Sequence, residues 1–228
     1  KLLVDTYDPF VIWYDMGFTK QKYVDMLLEA QERFWPDVIV NDRISSRRKV
    51  YGDFITAERT TGSGDGKYEE SCFTLNNTWG YAPANDVVSY YNNSISVEAI
   101  LKDYILDSIG KGQNCLLNIG PKPDGSIPNM QVSRLRFLSK FCQKYGTFDN
   151  CKPVVSSTYP DYGYMLKTSD NKVRFFIFEP DKEGIILDGF DPTYIKSVRV
   201  FGADNEYSID NYEVVDGQGI KLLSPLNV

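Results

Sequence analysis

The sequence predicts an α/β fold class: half of a (β/α) TIM-like barrel over residues 1–152, followed by a small antiparallel β-sandwich over residues 153–228. Three observations lead there. Short apolar runs alternate with amphipathic helical patterns as far as about residue 150, the mark of parallel βαβ units. About four such units fit in that length, whereas a closed barrel needs eight and typically about 250 residues. After Pro153 the helical period gives way to short alternating or aromatic runs separated by turn residues.

In chain order, Phe10-Val11-Ile12-Trp13-Tyr14 follows Pro9 and reads as a buried strand, being short, aromatic and β-branched. Tyr23, Met26, Leu27, Ala30 and Phe34 recur at helical spacing opposite Glu29 and Glu32, and Pro36 stops that helix. Residues 37–40 form the next strand. The polar, glycine-rich stretch 41–67 reads as a long loop, and loops of that length in compact domains usually carry function. Residues 72–75 are a third strand. Ser96 reads as the N-cap of a helix that buries Ile100, Leu101, Tyr104, Ile105 and Ile109 and ends at Gly110 and Gly112. Residues 115–119 are the fourth strand. Asn129 caps a last helix, buried through Val132, Leu135, Leu138, Phe141 and Tyr145 and closed by Gly146. In the second domain, short runs at 163–168, 172–179, 184–187, 194–200 and 219–223 are separated by turns such as Ser169-Asp170-Asn171 and Asp216-Gly217. Val173, Phe175 and Ile177 face one side and Arg174 the other, as in a sandwich.

Composition narrows the function classes. With 42% hydrophobic and 14% aromatic residues among 228, the chain has the apolar material for a packed core. Its 31 acidic and 25 basic residues give a net charge of −6, and its longest basic run is Arg47-Arg48-Lys49. A nucleic-acid partner, whose affinity rests on neutralised phosphates, is therefore not expected. No apolar stretch approaches the ~20 residues that span a bilayer, so no membrane partner is expected either. The four cysteines, Cys72, Cys115, Cys142 and Cys151, lack C-x-x-C spacing and the chain has no histidine, which argues against a metal site. Cys142 and Cys151 lie around a helix end and a turn and could pair in an oxidising compartment. The first residue is Lys and no signal-like segment follows, so further chain is expected to precede it.

Candidate chemistry starts at Asp15, directly after the first strand, with Gly17 allowing a tight exit. In a (β/α) barrel the C-terminal strand ends carry the active-site side chains, so the position suits a catalytic carboxylate; an Asp that caps the following turn is the bland alternative. A second acid, Glu58, lies in the loop after the next strand, within Gly52-Asp53-Phe54-Ile55-Thr56-Ala57-Glu58. Two acids over one rim can face each other across a glycosidic bond, and a separation of about 5 Å would imply a covalent, retaining mechanism. Glu69 and Glu70 compete for the acid/base role, and all three glutamates could equally be solvated loop charges.

Four stretches carry a resemblance: Val11-Ile12-Trp13-Tyr14-Asp15-Met16-Gly17; Val40-Asn41-Asp42-Arg43; Gly52-Asp53-Phe54 with Thr56-Ala57-Glu58; and Gly110-Lys111-Gly112-Gln113-Asn114-Cys115-Leu116-Leu117-Asn118-Ile119-Gly120-Pro121. Together, in this order, they resemble the α-L-fucosidases of glycoside hydrolase family 29, and Pro123-Asp124-Gly125-Ser126-Ile127-Pro128 extends the match. The resemblance implies the C-terminal half of the catalytic barrel and an enzyme that removes terminal α-linked L-fucose from fucosylated glycans by double displacement, without a cofactor. By that resemblance Asp15 is the nucleophile and Glu58 the acid/base. Arg43 matches an arginine that contacts the sugar, for which a fixed, always-charged fork is suited; a structural salt bridge is the alternative. Trp79 aligns with an aromatic near the fucose methyl, and Trp13 lines the pocket floor or packs in the barrel. Asn118 and Gly120 are structural.

The chain departs from the family in having no histidine, where family members bind fucose hydroxyls with histidines on the first half of the barrel. An N-terminal half supplied elsewhere is the simplest account; a degenerate homologue that binds fucose or only assembles is the alternative, and an open half-barrel edge would favour a homo-oligomer. Asn76-Asn77-Thr78 and Asn92-Asn93-Ser94 fit the glycosylation pattern. The resemblance implies a lysosomal or secreted protein, or a periplasmic one in a bacterium.

Overall fold

The computed structural model describes residues 2–47, 50–62, 68–154, 163–178, 184–201, 206–208, 212–215 and 219–223. The chain separates into two compact units, 1–146 and 147–228. The division falls a few residues ahead of the expected 152/153, because Lys152–Pro153 pairs with a strand of the second unit.

The first unit opens with α1 (Leu2–Tyr7) and β1 (Val11–Ile12), then α2 (Gln21–Phe34) and β2 (Ile39–Val40). β3 (Ile55–Glu58), β4 (Glu69–Thr74) and β5 (Asn114–Asn118) follow, with α3 (Val88–Ser94) and a second helical run between the last two. β1 pairs with β2 and β3 with β4 and β4 with β5, all parallel and in sequence order. A parallel bridge between Asn41 and Phe54 joins the end of β2 to the start of β3. β3 occupies part of the stretch expected to be a long loop. Only four residues form the strand, too few to show a period among the surrounding Gly, Ser and Arg.

Helix ends follow local chemistry. α2 stops at Trp35, whose N–H bonds the Gln31 carbonyl just ahead of Pro36. Ser96 caps the next run as expected, accepting the Ala99 N–H at 3.0 Å. That run begins as α4 (Val97–Ala99), widens into a π-helix (Ile100–Leu106) and closes as α5 (Asp107–Gly110). Asn129 is not a cap: Pro128 holds that position and no side chain caps α6 (Asn129–Tyr145). Gly146 ends α6 with φ 91°, where a side chain would be strained.

Leu75, Tyr91, Ile95 and Ile100 form a core cluster, packed by Tyr104, Leu117, Leu135 and Leu138 among others. Phe73 stacks on Tyr104 at 4.3 Å between centroids, so the odd residues of β4 face the helices. Strand alternation turns Glu70, Cys72 and Thr74 to the opposite face. The other side of the unit is not closed. Phe10, expected in a buried strand, is 78% exposed, and Val11 and Ile12 are only half-buried. In α2 only Val24 is buried, while Met26 is 62% exposed and Tyr23 and Phe34 are also open.

Among the described residues the second unit holds three small antiparallel sheets. β6 (Lys152–Pro153), β7 (Gly163–Lys167) and β8 (Val173–Ile177) form one, and β12 (Tyr212–Val215), β13 (Gly219–Leu222) and β9 (Ile186–Asp188) another. β10 (Arg199–Phe201) pairs with β11 (Glu206–Ser208). Ile185, Leu187, Ile220 and Leu222 share one core with Phe175, Ile177 and Val200, while Arg174 reaches the Thr147 carbonyl instead. The turn at 169–171 is present, with Asn171 at φ 60° and the Thr168 N–H bonded to the Lys172 carbonyl. The Asp216-Gly217 turn lies outside the described residues. Cys142 and Cys151 are both thiols. No helix among the described residues is long and apolar enough to cross a membrane.

Candidate active site

The segment beyond β1 is fixed by the segment beyond β2. Asn41, fully buried, accepts the Tyr14 N–H at 2.8 Å and donates its amide to the Tyr14 carbonyl at 2.9 Å. That two-bond clamp sets the backbone one residue ahead of Asp15. Gly17 then runs against the backbone of the next segment: an added Cβ would lie 2.5 Å from the Ser45 carbonyl carbon and 2.6 Å from the Arg43 oxygen. Only glycine permits the approach that brings Asp15 to Arg43.

Arg43 belongs to a short 3-10 turn, Asp42–Ile44, directly after β2. Asp42, fully buried, accepts both the Thr56 N–H and the Thr56 hydroxyl, at 2.9 and 2.7 Å. The Thr56 oxygen is thereby turned to accept from Arg43 Nε at 2.8 Å. Arg43 Nη1 donates to Asp15 Oδ1 at 3.1 Å and to Glu58 Oε2 at 3.2 Å. Its guanidinium carbon lies 4.7 Å from the Trp13 ring centroid, a cation–π contact. The arginine side chain is 11% exposed, whereas those of Asp15 and Glu58 are 62% and 38% exposed. A nearly buried cation thus holds two carboxylates that still face water. Because both oxygens touch one nitrogen, they are at most about 6.3 Å apart.

Glu58 is the last residue of β3, not part of a loop, and pairs in register with Cys72. Its second oxygen, Oε1, accepts the Trp79 indole N–H at 2.9 Å. Trp79 sits in the loop after β4, its carbonyl held by the Asn118 amide at 2.9 Å, so Asn118 does secure loop backbone. Asp15, Arg43, Glu58, Trp79 and Trp13 therefore form one connected group.

Glu69 and Glu70 do not join the carboxylate pair. Both lie at the start of β4, opposite Ile55 and Thr56, two to three residues below the level of Glu58. Glu70 accepts the Trp13 indole N–H at 2.7 Å and the Asn114 amide at 2.6 Å, which makes it a support beneath Trp13. Glu69, buried, accepts from Gln113 Nε2 at 2.6 Å. Burial first and the Glu70 carboxylate second push the Cys72 thiol up to about 12.

Several residues had no role in the sequence reading: Asn41, Asp42, Thr56 and Arg59. Asn41, Asp42 and Thr56 stand in the stretches that carry the family resemblance, so their nearness to Arg43 and Glu58 was the available signal; Arg59 lies just outside those stretches. Of the two glycosylation triplets, Asn76 is 3% exposed with its amide turned to Gly80, while Asn92 is exposed and accepts from Arg134. Among the described residues no group of acids or thiols is placed to hold a metal ion. Two carboxylates closing on one open side can divide the tasks of nucleophile and proton donor.

The sequence profile of the family described as Alpha-L-fucosidase matches residues 1–147. An alpha-L-fucosidase of Dictyostelium discoideum is 26% identical over 198 residues, covering 82% of this chain and 42% of the relative. Among solved structures, alpha-L-fucosidase isoenzyme 1 from Paenibacillus thiaminolyticus superposes on 100% of this chain and 56% of its own, at 22% identity and a TM-score of 0.75. The Thermotoga maritima alpha-fucosidase in complex with fucose superposes on 97% of this chain and 50% of its own, at 26% identity and a TM-score of 0.69. The chain spans roughly two fifths to just over half the length of these relatives.

Proposed function

The chain belongs to the alpha-L-fucosidase family, and from that premise we propose that it carries the nucleophile and the acid/base of a retaining hydrolase acting on terminal α-linked L-fucose. The observation that carries the reading is the single Arg43 nitrogen shared by Asp15 and Glu58, at 3.1 and 3.2 Å. A spacing of at most about 6.3 Å falls short of the ~6.5–9.5 Å gap that leaves room for a water and is compatible with the ~5 Å of covalent glycosidases.

In the first step the Asp15 carboxylate attacks the anomeric carbon while the Glu58 carboxyl gives its proton to the leaving glycosidic oxygen. The aglycone departs with the bonding electron pair, and a fucosyl ester of Asp15 remains. In the second step Glu58 takes a proton from water, whose oxygen attacks the same carbon, and Asp15 is released as carboxylate. Arg43 holds both acids in register and offers its charge as Asp15 regains its own. Trp13 and Trp79 supply apolar walls suited to a 6-deoxy sugar.

The five parallel strands are read as consecutive strands of a (β/α) barrel, with Glu58 and the residues past β1 and β2 on its C-terminal rim. Their neighbour-by-neighbour order supports this. So do the apolar side chains left open on α1, just ahead of β1 and on α2, Leu2, Leu3, Phe10 and Met26 among them, which is where other strands and helices of a barrel would pack. The second unit is read as the accompanying β-sandwich.

The deciding experiment is Asp15→Gly in the full-length protein, assayed with 4-nitrophenyl α-L-fucoside. Turnover is expected to vanish and to return in part with azide or formate, with fucosyl azide as the product in the azide reaction. Unchanged turnover would overturn the assignment.

A further inference from the structure

We propose that Arg59 is a positioning residue for proton transfer by Glu58, acting through Trp79; the inference rests on the assignment of Glu58 above. Arg59 is the residue after Glu58, and its backbone sits at φ 56°, in the left-handed region that a long side chain rarely adopts. Such a conformation persists where its surroundings dictate it. Here the Arg59 N–H donates to the Cys72 carbonyl at 2.8 Å, closing the β3–β4 ladder, and the chain turns at once.

The turn sends the side chain to the loop that carries Trp79. Arg59 Nη2 donates to the Asn77 carbonyl at 2.7 Å, and its guanidinium carbon lies 5.5 Å from the Trp79 ring centroid. Trp79 in turn donates its indole N–H to Glu58 Oε1. The charge over the ring draws electron density toward it, which strengthens the indole N–H as a donor. Arg59 therefore fixes both the place and the polarity of the group that orients Glu58. A cavity of about 200 Å³ borders Arg59, with Phe73, Asn77, Tyr90 and Tyr104 also in its wall. Arg59 is exposed, and the Asn77 carbonyl and the Trp79 ring are contacts that place its guanidinium.

A mispointed acid costs most when the leaving group needs its proton. The discriminating measurement is kcat/KM of the full-length protein on two fucosides, phenyl (poor leaving group) and 2,4-dinitrophenyl (good leaving group). Arg59→Ala is expected to lose about tenfold on the phenyl substrate and less than about twofold on the dinitrophenyl one, with Arg59→Lys recovering part of the loss. Arg59→Gln keeps a donor for the Asn77 carbonyl without the charge, and is expected to show the same selectivity if Arg59→Ala does not fold. Equal losses on both substrates, or none, would overturn the role of Arg59. Glu58→Gln serves as the control: if it shows no leaving-group dependence, the assignment of Glu58 is what fails.

Discussion

Replacing Arg43 with lysine keeps the charge and removes the fork, which isolates the feature on which the site depends. In the structure the guanidinium meets Thr56 through Nε, both carboxylates through Nη1, and the Trp13 face. An ammonium on a flexible stem can satisfy either the threonine or the carboxylates, and it stacks less well. Charge-assisted hydrogen bonds contribute about 1.5–3 kcal/mol each when sheltered. Asp15 and Glu58 are more than a third exposed, so solvent screening brings each of those contacts down to about 1 kcal/mol or less. Losing the Thr56 bond and one carboxylate contact then amounts to about 1–2 kcal/mol, or roughly 5–30-fold in kcat/KM. Arg43→Ala also leaves the two acids facing each other without a cation, and about 2–4 kcal/mol, roughly 30–1000-fold, is expected. The assay is hydrolysis of 4-nitrophenyl α-L-fucoside well below the melting temperature, with the folded fraction followed by circular dichroism. A lysine variant within twofold of the parent would refute the reasoning. So would alanine and lysine variants that lose activity only in step with their folded fraction.

Two further outcomes are expected. Gly17→Ala forces a Cβ to within 2.5–2.7 Å of backbone atoms of Ser45 and Arg43, which cannot swing aside as a side chain would. A cost of about 1–3 kcal/mol and a melting temperature lower by several degrees should follow, with activity falling as Asp15 is displaced; an unchanged melting curve would contradict the close approach. The Cys72 thiol, raised from an ordinary 9.0 to about 12 chiefly by burial, keeps its proton at pH 8, so iodoacetamide should label it far more slowly in folded than in unfolded protein. Between the ordinary thiol value and about 12 the folded state holds a proton that the unfolded state releases, so this group lowers stability as pH rises through that window. Mass spectrometry of labelled peptides reads the first effect, and rapid labelling of the native protein at Cys72 would argue against it.

The sequence by itself determined the elements whose chemistry is local. α2 ends before Pro36, Ser96 caps its helix and Gly146 closes α6, because each depends on the bonding of a few neighbouring residues. It also singled out Asp15, Arg43, Glu58, Trp79 and Trp13, through motif order. It could not reveal β3, whose four residues gain their strand form from pairing with β4. Motif order put Glu58 ahead of Glu69 and Glu70, but residue spacing could not say where the three carboxylates lie. Glu58 and Glu70 share one face of adjacent strands, and only the register, with Glu58 opposite Cys72 and Glu70 opposite Thr56, sets the first against Arg43 and the second beneath Trp13. The same holds for Asn41 and Thr56, ordinary polar residues until distant backbone closes around them. Periodicity and caps are properties of short windows, whereas a shared arginine nitrogen 28 residues from one carboxylate and 15 from the other exists only once the strands are paired.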